Sequence, residues 1–306
     1  MELDVTAPEP VVADGLVKTY GDLRAVDGVS LRVARGETFG LLGPNGAGKT
    51  TTLEMLEGLR EPDAGTVRLL GEPPWPRNLG LLPRIGVQLQ ATSFFDRLTA
   101  REQLRTFASL YGVGARRVEE TLALVGLDEK AGTRTEKLSG GQAQRLSIAC
   151  AIVHDPELVF LDEPTTGLDP QARRNLWELI RAIAARGHTI LLSTHYLDEA
   201  ESLCDRVAIM DRGRILAMDS PARLVRDLDA PVRIGVAAGA LDAADAAALP
   251  GVTRVSTDGG TLTIETRTPD AVLPEISRRG ALAGLRVHGA TLEDVFLQLT
   301  GREYRE

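Results

Sequence analysis

The stretch Gly43-Pro44-Asn45-Gly46-Ala47-Gly48-Lys49-Thr50 constrains this chain more than any other, because it matches G-x-x-x-x-G-K-[ST] at every position. An apolar segment over 39–42 precedes it, and a helix-compatible segment over 50–59 follows, with Gly58 near its end. That order of strand, glycine-rich loop and helix is what a phosphate-binding loop needs. Successive backbone N–H groups then point into one concavity, and the helix N-terminus adds partial positive charge. In such a loop Lys49 neutralises the β- and γ-phosphates, and the Thr50 hydroxyl is placed to reach Mg²⁺. A glycine-rich turn that matches by coincidence is the competing explanation.

Other segments bear on the same chemistry. The apolar run over 157–161 ends in Asp162-Glu163-Pro164. A buried strand that delivers two adjacent carboxylates suits a nucleotide site: Asp162 to hold Mg²⁺ and Glu163 to orient and deprotonate water. Solvated acids at a strand end are the plain alternative. Leu138-Ser139-Gly140-Gly141-Gln142 opens a helix running to about 153, and Ser139 with Gln142 satisfies a capping box. The cap leaves unexplained two adjacent glycines in the first turn, each costing about 1 kcal/mol against Ala; glycines there let N–H groups approach an anion closely. Asp169-Pro170 reads as the N-cap and first-turn proline of the next helix. His195 follows a buried strand over 188–193, and a lone histidine after a strand is more often structural than catalytic, so its meaning depends on the residues around it. Tyr20, at the end of a strand over 11–20, is either an adenine-stacking ring or an ordinary strand-end aromatic.

Together Gly43 to Thr50, Gln90, Leu138 to Gln142, Asp162-Glu163, Gly167-Leu168-Asp169 and His195 resemble the motif series of an ABC-type ATPase domain, over about residues 11–225. The resemblance implies a P-loop α/β fold with an antiparallel β subdomain and a helical subdomain over about 91–154. It implies ATP and Mg²⁺ as ligands, with Glu163, His195, Lys49 and Gln90 catalytic and Thr50, Gln90 and Asp162 at the metal. Gln88 rivals Gln90 for the glutamine role. Tyr20, the loop 43–50 with Thr51, and Ser139, Gly140, Gly141, Gln142 and Asp169 would bind nucleotide. One chain carries one phosphate loop and one Ser139–Gln142 segment, so hydrolysis implies a head-to-tail pair, most simply a homodimer. The implied partners are a second copy and a separate membrane permease, at the cytoplasmic face of the membrane.

At 306 residues the chain can bury two cores. The expected layout is a flexible stretch over 1–10, the ATPase domain over 11–229, a small α/β domain of possible ferredoxin-like type over 230–301 and a tail over 302–306. That second domain shows no catalytic pattern and reads as regulatory or dimer-supporting. Its closing Thr291-Leu292-Glu293-Asp294-Val295-Phe296 is similar to the tail of the daunorubicin-resistance type of ATP-binding subunit, which implies a motor for export of a drug, antibiotic or lipid-like compound. A soluble regulatory ATPase without a permease is the alternative. The net charge of -8 argues against nucleic acid as a partner. Cys150 and Cys204 lack metal-ligand spacing and read as packing residues.

Overall fold

The computed structural model describes residues 8–88, 94–228 and 230–301. The chain divides into two compact units, with one covering the described residues up to Pro221 and the other beginning at Ala222. In the first, β1 (Val11–Tyr20) and β2 (Leu23–Val33) form a hairpin about Gly21-Asp22. The chain continues through β3 (Thr38–Leu42), α1 (Lys49–Leu56), β4 (Ala64–Leu69) and β5 (Ile85–Gln88). Three helices follow, α2 (Ala100–Leu110), α3 (Ala115–Leu124) and α4 (Gly140–Ile152), then β6 (Leu158–Asp162), α5 (Pro170–Ala184) and β7 (Thr189–Thr194). The unit closes with α6 (Leu197–Leu203) and the hairpin β8 (Arg206–Asp211) and β9 (Arg214–Asp219), and α7 (Pro221–Asp227) straddles the division.

Two sheets share this unit. The antiparallel sheet has the order β2-β1-β4, and the larger sheet has the order β5-β6-β7-β3-β8-β9, parallel except for β9. Every residue of β3, β6 and β7 is buried, as expected of central parallel strands covered on both faces. Phe39, Leu41, Phe160 and Leu191 join Val11, Leu31 and Leu53 in one core, each contributing about 1.5–3 kcal/mol by burial. The register decides where chemistry can occur. Leu42 lies opposite Thr194 and Asp162 opposite Ser193, so the loops leaving β3, β6 and β7 emerge side by side at one edge. Ligands of open α/β sheets bind at that carboxyl edge.

The helices beside the sheet start where the sequence places caps. Thr99 and Ser139 each make a capping box, with Glu102 and Gln142, and Asp169 Oδ1 accepts the N–H groups of Gln171 and Ala172. Three features differ from expectation. Helix α6 was not anticipated, because it is short and has no side-chain cap. Part of the connection over 71–84, for which Pro73, Pro74, Pro76 and Pro83 predict irregular backbone, is a turn of 3-10 helix at Leu82–Arg84. Pro10, placed by the sequence in a flexible N-terminus, is buried and accepts the Leu70 N–H at 2.9 Å.

The second unit comprises β10 (Val232–Ala237), α8 (Ala243–Ala247), β11 (Val252–Asp258), β12 (Thr261–Thr266), α9 (Pro269–Arg278), β13 (Arg286–His288) and α10 (Leu292–Thr300). Its antiparallel sheet has the order β11-β12-β10-β13, the strand order of a split βαβ ferredoxin-like fold. Ile234, Val236, Leu262 and Ile264 pack with Val272 and Ile276 of α9 in a core of its own. None of the described helices is long and apolar enough to cross a membrane.

Candidate functional site

The loop after β3 folds tightly because its glycines leave no room for side chains. A Cβ at Gly43 would strike the Met210 carbonyl, and one at Gly48, whose φ is +98°, would strike the Ala25 carbonyl. Gly46, at φ +80°, faces open space, so the loop closes on the protein at two points and presents bare backbone outward at the third. Gly48 is also the N-cap of α1, which aims the free N–H groups of the first helical turn at the same concavity. A cleft of about 380 Å³ opens there, lined by Tyr20, Leu23, Ala25, Asn45, Gly46, Gly48, Lys49, Thr50, Thr51 and Glu163.

Lys49 is 4 % exposed; its Nζ donates to Gly43 O at 2.8 Å and Pro44 O at 3.2 Å and lies 3.2 Å from Glu163 Oε1. Burial pulls the Lys49 ammonium down from its ordinary value, against the opposing pull of Glu163. Glu163 sits in a left-handed backbone conformation, φ +45°, uncommon for a residue with a side chain. Its N–H donates to Ser193 Oγ at 3.0 Å, its Oε2 accepts from Thr166 Oγ1 at 3.1 Å, and the same oxygen lies 3.2 Å from His195 Nδ1. Burial pushes the Glu163 carboxyl up, but Lys49 and then His195 outweigh it, and the net direction is down: Glu163 is held ionised. Asp162 behaves oppositely. Burial pushes its carboxyl up, although Ser193 Oγ donates to its Oδ1 at 2.5 Å and Thr50 Oγ1 at 3.3 Å. Adjacent carboxyls with opposed shifts suit a division of roles between them.

The structure therefore brings Lys49 and Thr50 at the start of α1 together with Asp162 and Glu163 at the end of β6 and His195 just past β7. It also adds a residue that the sequence did not single out. Ser193 ties Asp162 and Glu163 to β7, and its only sequence signal is a hydroxyl near the end of a strand that is otherwise apolar through 190–192. Leu23 and Ala25 line the cleft as ordinary strand residues, without a signal of their own.

The geometry has counterparts in known proteins. Residues 26–166 match the family model described as "ABC transporter". The Nod factor export ATP-binding protein I of Rhizobium sp. (strain N33) is 43 % identical to this chain over 295 residues, covering 94 % of this chain and 96 % of that one. The chain belongs to the ABC transporter family of ATP-binding subunits. The protein of the same description from Paraburkholderia xenovorans (strain LB400) is also 43 % identical, with 98 % and 100 % coverage. A solved "ATP binding subunit of ABC transporter" superposes with a TM-score of 0.64 at 32 % identity, over 71 % of this chain and 92 % of that one. This ABC subunit is accordingly an ATPase, with ATP bound by a P-loop α/β domain.

The remaining sequence-derived residues of the ABC subunit lie in three places. Tyr20 is at the cleft, 40 % exposed, with the Arg60 guanidinium 5.3 Å from its ring centroid. Ser139, Gly140, Gly141, Gln142 and Asp169 do not line the cleft of their own chain. Ser139 and Gly140 are exposed at the start of α4, and Asp169 is exposed at the start of α5. Gln90 lies outside the described residues, whereas its rival Gln88 is buried at the end of β5, opposite Leu161.

Proposed function

We propose that this chain is the ATP-hydrolysing motor of an exporter, working with a separately encoded membrane permease at the cytoplasmic face of the membrane. One observation carries the catalytic part: the ionised Glu163 carboxylate sits between Lys49 and His195 at the wall of the phosphate cleft. ATP in that cleft places its phosphates on the amides of 46–50 and on the Lys49 ammonium, with its base against Tyr20. Glu163 takes a proton from the attacking water, and the γ-phosphoryl group passes to that water as ADP leaves. His195 and Lys49 oppose the charge that develops on the γ-phosphoryl oxygens. The Thr50 hydroxyl and Asp162 carboxylate, 3.3 Å apart, are hard oxygen donors of the kind Mg²⁺ takes, and Gln90 is the third residue assigned to it. When bound, Mg²⁺ supplies positive charge to the phosphates.

The Ser139–Gln142 segment, with Ser139 and Gly140 exposed and none of its residues lining its own cleft, supports completion of the site by a second copy arranged head to tail. Each ATP then lies between one copy's phosphate loop and the other's helix α4. ATP thereby joins the subunits, and hydrolysis releases them, which moves the permease. Relatives matching over the whole length are described as Nod factor export proteins, which supports export of a lipid-like, drug-like or antibiotic compound. The second unit, whose sequence carries no catalytic pattern, serves regulation or dimer support.

The test is ATP hydrolysis by membranes containing the protein, with and without the candidate permease, using Glu163→Gln as the blank. Glu163→Gln is expected to bind ATP and lose about 10²- to 10⁴-fold in turnover. Wild-type turnover in that variant would remove Glu163 from the chemistry. Glu163-dependent turnover that ignores every membrane partner would transfer the protein to a soluble regulatory role.

A further inference from the structure

Behind His195 lies a set of side chains that take no part in the chemistry above. The Tyr196 ring is tilted against the His195 ring, with centroids 4.1 Å apart and planes at 41°. The guanidinium carbon of Arg173 stands 3.9 Å from the centroid of that Tyr196 ring. The Tyr196 backbone is fixed as well, its N–H donating to Thr194 Oγ1 at 2.9 Å. Arg173 belongs to the first turn of α5, and Trp177, one turn further along the same face, donates from Nε1 to the fully buried Glu199 of α6 at 3.0 Å. Arg173 Nη1 also lies 3.8 Å from Asp198 Oδ2. Helix α5 thus grips the segment 196–199 at two points, and His195 is the residue on which that segment is hung.

We propose that Arg173 and Tyr196 form a cation–π clasp that positions His195 against Glu163, making both of them positioning residues for ATP hydrolysis. The inference rests on the catalytic reading of Glu163 and His195. A ring held between a guanidinium and an imidazole is restricted in both tilt and translation, and Arg suits the place better than Lys because its planar group stacks on the ring face. The clasp also has an upstream end. Ala172, next to Arg173, faces Gly141, where an added Cβ would come within 3.3 Å of the alanine Cβ, and Leu168 lies beside Gly140. The start of α4 therefore bears on the first turn of α5, and the first turn of α5 holds the ring beside His195.

The experiment measures kcat and KM for ATP, nucleotide affinity and thermal midpoint of the full chain in Tyr196→Phe, Tyr196→Ala, Arg173→Lys and Arg173→Ala, each also in a His195→Ala background. Tyr196→Phe keeps the ring and should stay within about twofold of wild type. Tyr196→Ala and Arg173→Ala should each lower kcat roughly tenfold with KM, affinity and midpoint unchanged, and Arg173→Lys should fall between. With His195 already removed, neither alanine should lower turnover further. Wild-type kcat in Tyr196→Ala overturns the clasp, as does a fall that tracks affinity and midpoint or that persists undiminished in the His195→Ala background. Undiminished turnover in His195→Ala alone would instead remove the catalytic reading on which the clasp depends.

Discussion

Glu57 shows how one residue's protonation is decided by where the fold puts it. It caps the C-terminus of α1, is 7 % exposed, and its Oε1 is buried without a hydrogen-bond partner. Its carboxyl is pushed up to about 8, by burial first and then by repulsion from Asp162 and Glu54. An unfolded Glu titrates near 4.5, so between about 4.5 and 8 the folded state keeps a proton that the unfolded state loses. Glu57 therefore costs nothing below that window, and its cost to stability grows as pH rises through it, reaching a plateau above about 8. Glu57→Gln should remove the penalty, raising stability at pH 8 to 9 by an amount on the order of a few kcal/mol and flattening the thermal midpoint across the window. Calorimetry from pH 4.5 to 9 checks this, and an unchanged slope would show that Glu57 titrates normally. Nothing in Leu56-Glu57-Gly58 signals this burial, since a glutamate near the end of a helix is ordinarily solvated. Lys49, Asp162 and Glu163 were legible because their chemistry is carried by residue type and spacing. Ser193 was not, because a strand-end serine acquires its role only from the register that sets it opposite Asp162.

At the scale of elements, caps and strand ends were the readable features. Thr99 donates through its N–H and Oγ1 to Glu102 Oε2 at 2.8 Å, and Thr99 Oγ1 accepts the Glu102 N–H at 3.3 Å. Those groups lie within one helical turn, so the pattern can be seen without knowledge of the fold. Thr99→Ala should cost about 1 kcal/mol, read by urea denaturation, with turnover unchanged. Helix α6 shows the opposite case. Tyr196 makes no side-chain cap, and the helix stands on Leu203, Ala200 and Glu199 buried against neighbours that the local sequence does not reveal. Asp211-Arg212-Gly213-Arg214 carries a turn signal that predicts the hairpin of β8 and β9, but nothing local signals the hairpin's service to the site. Gly213, at φ +78°, donates its N–H to Ala47 O and accepts from the Asp27 N–H, which braces the phosphate loop from behind.

On the scale of the whole molecule, the core around Val11, Phe39 and Phe160 lies in the first unit and the core around Ile234 and Ile264 in the second, and the described residues of the candidate site all belong to the first. Ile264, fully buried on β12, is the center of a test that separates them. Ile264→Ala should destabilise the second unit by about 2–5 kcal/mol and leave the affinity for ATP unchanged. Urea unfolding followed with a nucleotide-binding assay checks it, and an equal loss of ATP affinity would show that the first unit depends on that core. The net charge of -8 makes the local field the more telling quantity, because an anionic nucleotide must be held by Lys49 and oriented amides against the average charge of the protein. By itself the sequence determined the phosphate loop, the paired carboxylates, the caps of α2, α4 and α5 and, apart from α6, the order of strands and helices, because each depends on residues close along the chain. Only the tertiary structure decided that β7 lies between β3 and β6, so that Ser193 and His195 meet Asp162 and Glu163, and that Glu57 and Glu199 are dry. Those outcomes depend on pairings between residues far apart in sequence, and the free energy that selects them comes from burying the shared core rather than from any local preference.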